Sequence, residues 1–527
     1  MPETFPPRRR SVDAVVLGLA PMLGTGVFLV FAPAAWLAGG WLPLAIVLAG
    51  LAAACAAFAD ADLAARYPGS GAGYRYAREQ LAPCVGRLAG MAALIGRITS
   101  AAASALVFGN YVLPGHPLGV AVPLIVVVGA LSLTGMRWTV RGAWVLVVGV
   151  LAVLAAVTVI GLTWHSPVDW AVAPMPENGI GAVAQPGGAP TGGGLPMPTA
   201  GGLPMPAEDA GLAAHPVTPL GVLTAAGLVF FAFLGFSSMS RDASAPAGSA
   251  AGEERGPAAS RLAVSLVLLI PVVSYLLVAA ALMHTLDLPR LAMESAPLVA
   301  GVGGADAPAL GVLVRVAAAA ATACALFAAL GGVGRTAADM AAHRDLPSWL
   351  GAPGARGGRW SAGLLGVAGA VLVVVLADPV AAVALSACCG LIYYAVVILA
   401  ALRLPAAQRR WPKWTSALGL PLCLGLAVLL PRTQVVIVGL LLVAGCLTST
   451  LLSRRRAVDA GSPGAAQPPR REVGRVAGGD LRPAAPRKRG DSGAEVIDDG
   501  CRRGPGQPRE RPLEGSAGVS PDGGNGC

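Results

Sequence analysis

The chain has 527 residues, 55% of them hydrophobic and 13% charged, with a mean hydropathy of +0.67. That composition excludes an ordinary soluble domain and points to a polytopic membrane protein. The net charge of +10 would suggest nucleic acid in a soluble chain, but most of the arginine lies in short loops and the tail, so no nucleic-acid partner is expected.

A membrane helix needs about 20 apolar residues. Such runs predict spans at 13–37, 41–64, 84–112, 118–135, 142–164, 218–240, 261–284, 309–341, 361–377, 380–402, 415–431 and 434–452. The basic run Arg8-Arg9-Arg10 leads into an apolar segment too long for the h-region of a cleavable signal peptide. Residues 1–11 are therefore an N-terminal segment, 12–452 the transmembrane domain, and 453–527 a basic tail. The tail is rich in Arg, Pro, Gly and Asp, cannot bury a core, and is expected to be disordered.

Charge fixes the orientation. With the N-terminus inside, the inner loops carry Arg8 to Arg10, then Arg66, Arg75, Arg78 and Arg87, then Arg137 and Arg141. They continue with Arg241, Arg255 and Arg261, then Arg344, Arg356 and Arg359, then Arg403, Arg409, Arg410 and Lys413, and end at Arg454 to Arg456. The outer loops offer Arg290 and Arg432. This asymmetry satisfies the positive-inside rule with both termini cytoplasmic and an even number of spans. Two outer connections stand apart. Residues 165–217 form a Pro/Gly-rich loop in which Gly194-Leu195-Pro196-Met197-Pro198 recurs as Gly202-Leu203-Pro204-Met205-Pro206. Residues 285–308 have room for a short interfacial helix.

Catalytic and metal chemistry find little material. The nine cysteines show no paired-ligand spacing, and six of them fall in apolar segments where free Cys behaves as a small hydrophobe. The five histidines are scattered through loops and helix ends. No cofactor or metal is expected, and an intramembrane enzyme lacks the clustered His, Asp or Cys it would need. A channel is disfavoured for want of a pore-loop repeat.

The first span is a poor helix in its middle. Pro21, Gly24, Thr25 and Gly26 fall within six positions, and in a helix interior Gly is about 1 kcal/mol and Pro about 3 kcal/mol worse than Ala. Two readings follow: a close helix–helix packing face built on small residues, or a helix that unwinds where its backbone faces protein or a polar cavity. The sixth span repeats the oddity in Phe230-Phe231-Ala232-Phe233-Leu234-Gly235-Phe236-Ser237-Ser238. If spans 1–5 and 6–10 are two repeats, the irregular helices hold matching positions, which points to a substrate site near the bilayer midplane. Free N–H groups and the positive dipole end of a half-helix suit an anionic group, and exposed carbonyls suit a cation. Together they favour a small zwitterion, and unwinding is the reading that this pairing supports.

At these residues the chain resembles the amino acid–polyamine–organocation (APC) permeases. Met22-Leu23-Gly24-Thr25-Gly26-Val27-Phe28 is similar to their first-helix signature, and Tyr67-Pro68-Gly69-Ser70-Gly71-Ala72-Gly73-Tyr74-Arg75-Tyr76 to their loop between helices 2 and 3. Phe231-Ala232-Phe233-Leu234-Gly235-Phe236 resembles the sixth-helix motif. Gly334-Arg335-Thr336 through Asp345-Leu346-Pro347-Ser348-Trp349-Leu350-Gly351 resembles the end of helix 8 and its following loop. The likeness runs in order over residues 12–452. It implies an all-α membrane fold of about 12 helices: a 5+5 inverted-repeat core with discontinuous helices 1 and 6, plus two C-terminal helices. It further implies a permease of the cell membrane that moves amino acids or related amines by alternating access, with a coupling ion or an exchanged substrate.

By that likeness, backbone around Gly24, Thr25 and Gly26 takes the substrate carboxylate, and carbonyls near Met22, Leu23, Phe231 and Leu234 take its ammonium. Phe231 and Phe236 become gate aromatics beside Gly235, or simple core packing. Departures limit the transfer: where many family members carry an acid after the sixth-helix Gly-aromatic pair, this chain has Ser237. The acidic pair after that helix is displaced to Glu253-Glu254. The fifth span, Ala143 to Leu162, lacks the lysine of some proton-coupled members. The absence of acids from the site disfavours a cationic substrate.

Arg97 completes the expected substrate-binding set. It lies inside the third span, where an arginine costs about 2.5 kcal/mol or more and must face the bundle interior. Either it recognises an acidic group of the substrate or tunes the site electrostatically, or it sits near the inner end and pairs with Asp60 or Asp62. Arg315, near the outer end of span 8, is expected to snorkel. A different class of function stays open beside transport: a membrane sensor that binds an amino acid and signals through its tail.

Overall fold

In lipid an unpaired backbone N–H or C=O costs several kcal/mol, so apolar runs of this length close their hydrogen bonds within helices. The computed structural model describes residues 7–64, 72–134, 140–163, 218–236, 257–303, 308–350 and 356–460, and among them it is helical with no strand. The first span is α1 (Pro7–Met22), α2 (Gly26–Leu29) and α3 (Phe31–Ala38); the second is α4 (Leu42–Ala64). After α5 (Ala72–Tyr76) and a π-helical turn (Ala77–Leu81) come α6 (Pro83–Val112), α7 (Pro117–Leu133) and α8 (Val140–Thr163). The sixth span is α9 (Pro219–Val229) running into a 3₁₀ segment, Phe230–Phe236. Next are α10 (Pro257–Thr285), α11 (Leu288–Met293), α12 (Pro297–Gly303) and α13 (Pro308–Ala342). The chain continues with α14 (Arg356–Leu376), α15 (Pro379–Leu402), α16 (Lys413–Leu429) and α17 (Arg432–Ala460).

Each of the twelve expected spans falls on one of these helices. Eight apolar segments are long enough to cross a bilayer, and four shorter apolar helices accompany them. The connection 285–308, expected on the outside, holds two short helices, α11 and α12, with an Arg290–Glu294 pair at the end of the first. The last helix runs to Ala460, past the expected start of the tail at 453. The loop 165–217, the tail beyond Ala460, Ser237 and Glu253-Glu254 lie outside the described residues.

At the centre is α6, against which α13 and α15 pack, with α7 and α14 beside them. Its core face, Ala101, Ala102, Ala103 and Ala105, is fully buried. Small residues let neighbouring backbones approach closely, which is how helices gain contact energy when lipid is as apolar as they are. The opposite sign of burial marks the periphery. Val145 of α8, Leu376 of α14 and Leu440 of α17 are each more than half exposed, as side chains facing acyl chains are.

Two turns need unusual backbone. Gly39 (φ 52°, ψ −131°) occupies a region open essentially to glycine alone, and it reverses the chain between α3 and α4. Arg344 (φ 63°) closes α13 as glycine often does, allowing Asp345 N–H to donate to Met340 O at 2.9 Å. The Asp345 side chain, 1% exposed, then accepts from Tyr74 and Arg78 and lies 3.8 Å from Arg87. Ser449 Oγ donates to the Asp345 carbonyl at 2.7 Å. The two loop motifs singled out in the sequence thus meet at one carboxylate. Burial, and next the Asp345 carboxylate, push the Tyr74 phenol well above its usual range, so it stays a donor at neutral pH.

The close approaches make a direct stability contrast. A Cβ on Gly26 would overlap Ala232, whereas one on Gly149 of α8 meets nothing within 4 Å. Gly26→Val is expected to lower the thermal midpoint of the detergent-purified protein by many degrees. Gly149→Ala should leave it unchanged or raise it, by up to about 1 kcal/mol in stability. Equal midpoints for the two variants would contradict the packing.

Candidate functional site

Pro21 has no N–H to continue the helical ladder, and the first span comes apart just after it. Leu23 N–H donates to Leu19 O at 2.9 Å, and the pattern resumes with Phe28 N–H to Thr25 O at 3.3 Å and Val30 N–H to Gly26 O at 3.0 Å. Between these, the N–H groups of Gly24, Thr25 and Gly26 donate to no backbone carbonyl among the described residues. Leu23, Gly24 and Thr25 form the bend itself.

The sixth span departs from α geometry differently. Its described part ends tightened into a 3₁₀ segment over Phe230–Phe236, whose hydrogen-bond geometry is poorer than that of an α-helix. The two irregular segments cross on their glycines. A Cβ on Gly235 would stand 2.6 Å from Met22 N and 2.8 Å from the Pro21 carbonyl carbon, and Gly26 abuts Ala232. A Cβ on Gly24 would lie 2.8 Å from Ala325 Cβ of α13. The packing-face and unwinding readings of these glycines are therefore both present: the helix breaks where small residues let three helices touch.

Hydroxyls tie the crossing together. Tyr275 of α10 donates to Met22 O at 2.6 Å, and its oxygen lies 3.4 Å from Ala232 O. Ser104 of α6 gives its proton to Ser100 O at 2.8 Å, so in its 2.6 Å contact with Thr25 Oγ1 it accepts. The Thr25 proton is thereby committed to Ser104.

A cavity of about 120 Å³ opens at this crossing. Thr25 and Gly26 of the first span and Phe231, Leu234 and Gly235 of the sixth form one side. Gly96, Arg97 and Ser100 of α6, Ala325 of α13, and Ser386, Gly390, Tyr393 and Tyr394 of α15 complete it. Of the residues picked out in the sequence, Thr25, Gly26, Arg97, Phe231, Leu234 and Gly235 line the cavity. Met22, Leu23 and Gly24 are packed behind the wall, and Phe236 is buried against Tyr394, ring centroids 4.7 Å apart. Ser237 lies outside the described residues.

The α15 contribution was missed. Ser386, Gly390 and Tyr393 recur at i, i+4 and i+7, the spacing of one helix face, and that stripe of polar and small residues in the tenth span could have identified it. Ser386 Oγ donates to Gly96 O at 2.9 Å, joining α15 to α6 behind the cavity.

Among the described residues no Asp or Glu lines the cavity, and Arg97 is the charged group in its wall. Its Nη1 donates to Thr336 Oγ1 of α13, and its stem passes Gly332, where a Cβ would lie 2.6 Å from Arg97 Cδ and Nε. Arg315 Nη1 donates to Tyr111 O at 2.8 Å, capping the C-terminal carbonyls of α6, where a cation also meets the negative end of the helix dipole. Among the described residues no group of His, Cys, Asp and Glu is arranged to hold a metal ion.

A bundle of apolar helices around a small, partly polar cavity at two irregular helices defines a polytopic membrane protein with room for one small solute. Comparison with known sequences places it further. The family described as amino acid permease matches residues 11–454. An uncharacterized transporter of Mycobacterium tuberculosis (strain H37Rv) is 35% identical over 441 residues, covering 82% of this chain and 89% of the relative. One from Mycobacterium bovis matches to the same extent. The methylthioribose transporter of Bacillus subtilis is 26% identical over 183 residues, covering 30% of this chain and 40% of that protein. The chain belongs to the amino acid permease family of the APC superfamily, and it is a membrane transporter.

Tyr275→Phe removes the donor to Met22 O without changing the ring. It is expected to cost about 1 kcal/mol, read as a lowered unfolding midpoint in detergent; an unchanged midpoint would show that this hydroxyl does not hold the two broken helices together.

Proposed function

We propose that the protein is a secondary transporter of amino acids or related amines in the cell membrane, with both termini cytoplasmic. The observation that carries this reading is the run of N–H groups at Gly24, Thr25 and Gly26 that donate to no backbone carbonyl among the described residues, with Thr25 and Gly26 in the wall of a cavity the size of a small metabolite. In a membrane interior such donors call for an anionic partner, and a substrate carboxylate is one. The ammonium goes to carbonyls near Met22, Leu23, Phe231 and Leu234. Tyr275 already donates to Met22 O in this conformation, and a carbonyl's second lone pair remains for a substrate.

Transport follows from movement of two five-helix inverted repeats around the broken helices, exposing the cavity to one side and then the other. The glycine contacts of the first and sixth spans are the surfaces on which that movement turns. Phe231 shields the site. No covalent step is involved. The lysine that some proton-coupled relatives place in the fifth helix has no counterpart in α8, so the driving ion or exchanged solute acts elsewhere.

The test is a thermal-shift and uptake screen of purified protein in proteoliposomes, with amino acids, their methyl esters, polyamines and methylthioribose. Free amino acids are expected to raise the midpoint and to be taken up, and their methyl esters, lacking the anion, are not. Stabilisation and uptake confined to methylthioribose, or binding of amino acids with no flux, would contradict the proposal.

A further inference from the structure

Arg97 lies deep in the membrane. It is fourteen residues past Pro83, the first residue of α6, about 21 Å of helix rise, beyond what a side chain spans by snorkelling to the interface. Its position in the cavity wall, with Gly332 leaving space for its stem and Thr336 as a hydroxyl partner, holds the guanidinium at a defined place. Gly332 and Thr336 stand one helical turn apart on α13. The side chain is thus seated in a slot made for it by a glycine and a threonine on one face.

The distance between Arg97 and the helix break limits what can use both. Ser104, which contacts Thr25, is seven residues beyond Arg97 on α6, two helical turns or roughly 10 Å. Ser100 lies between them in the same wall. The cavity therefore has two ends that prefer negative charge: the first-span break at Thr25 and Gly26, and the guanidinium of Arg97. A planar guanidinium meets a carboxylate with two parallel hydrogen bonds. A polyamine or cationic amino acid entering here would bring positive charge beside Arg97 in a wall whose described residues include no Asp or Glu.

We infer that the transported solute carries a second carboxylate, as an acidic amino acid does, and that Arg97 is the residue that selects it. The inference rests on the proposed amino-acid site, in which the α-carboxylate occupies the first-span break. The side-chain carboxylate then points along α6 toward Arg97, past Ser100, and the α-ammonium stays at the helix 1 and helix 6 carbonyls. About 120 Å³ suits a metabolite of this size and falls below the roughly 300–1,000 Å³ of pockets for drug-sized ligands.

The experiment is uptake of radiolabelled L-glutamate, L-aspartate, L-glutamine and L-leucine into proteoliposomes by the wild type, Arg97→Gln and Arg97→Lys. The wild type is expected to favour glutamate over glutamine by at least tenfold. Arg97→Gln should lower that ratio by at least tenfold, and Arg97→Lys should retain part of it, because a point charge replaces the fork. A purely structural role for Arg97 would reduce uptake of all four solutes together and leave the ratio in place, which would overturn the inference. Wild-type uptake of glutamine or leucine uninhibited by excess glutamate would overturn it too, while leaving the amino-acid site standing. Wild type that transports none of the four would instead count against the proposed function itself. Should Arg97→Gln fail to fold, Arg97→Lys decides the matter: a lowered glutamate-to-glutamine ratio supports the inference, and a ratio equal to that of the wild type overturns it.

Discussion

The constraint on which the structure depends is that a backbone donor inside a bilayer must have a partner. Over most of this chain the helix itself satisfies it. Just past Pro21 the ladder lapses: the N–H groups of Gly24, Thr25 and Gly26 donate to no backbone carbonyl among the described residues, and Thr25 and Gly26 line a cavity. Everything nearby accommodates that break. Gly24, Gly26 and Gly235 let α13 and the 3₁₀ segment close around it, and Tyr275 bridges Met22 toward the sixth span. The hydroxyl pair Thr25–Ser104 fixes its height along α6.

Why α6 is central follows from the same requirement. A helix contacted on several sides must be narrow, and its run of buried alanines makes it so. It then serves as a ruler along which Arg97, Ser100 and Ser104 are spaced, facing the break in the first span and the polar stripe of α15. At its ends, Arg315 caps the C-terminal carbonyls, and the cluster of Tyr74, Arg78 and Arg87 around Asp345 fastens the loops at the other end. The buried carboxylate there is a costly group to place in a protein interior, and its three partners explain why it is tolerated.

Much of this was legible in the residues. Apolar runs of the right length located the long apolar helices, because hydropathy decides which segments can live in lipid. The defect at Pro21, Gly24, Thr25 and Gly26 was visible because helix propensity is local. The 3₁₀ character of Phe230–Phe236 was not, since Gly235 signalled irregularity without saying whether the turn would loosen or tighten. The α15 wall escaped notice because Ser386, Gly390 and Tyr393 are ordinary residues for a membrane helix until α6 is placed opposite them. The partner of Arg315 was not legible because its acceptor, the carbonyl of Tyr111, lies 204 residues away. Partnerships across that distance are properties of packing, which no single segment encodes.

The most direct measurement is an experimentally determined structure of the protein in lipid nanodiscs with the amino acid that stabilises it best. The account predicts a carboxylate within about 3 Å of the N–H groups of Gly24, Thr25 and Gly26. A ligand seated elsewhere, or a first span whose N–H groups all pair with backbone carbonyls in the bound state, would contradict it.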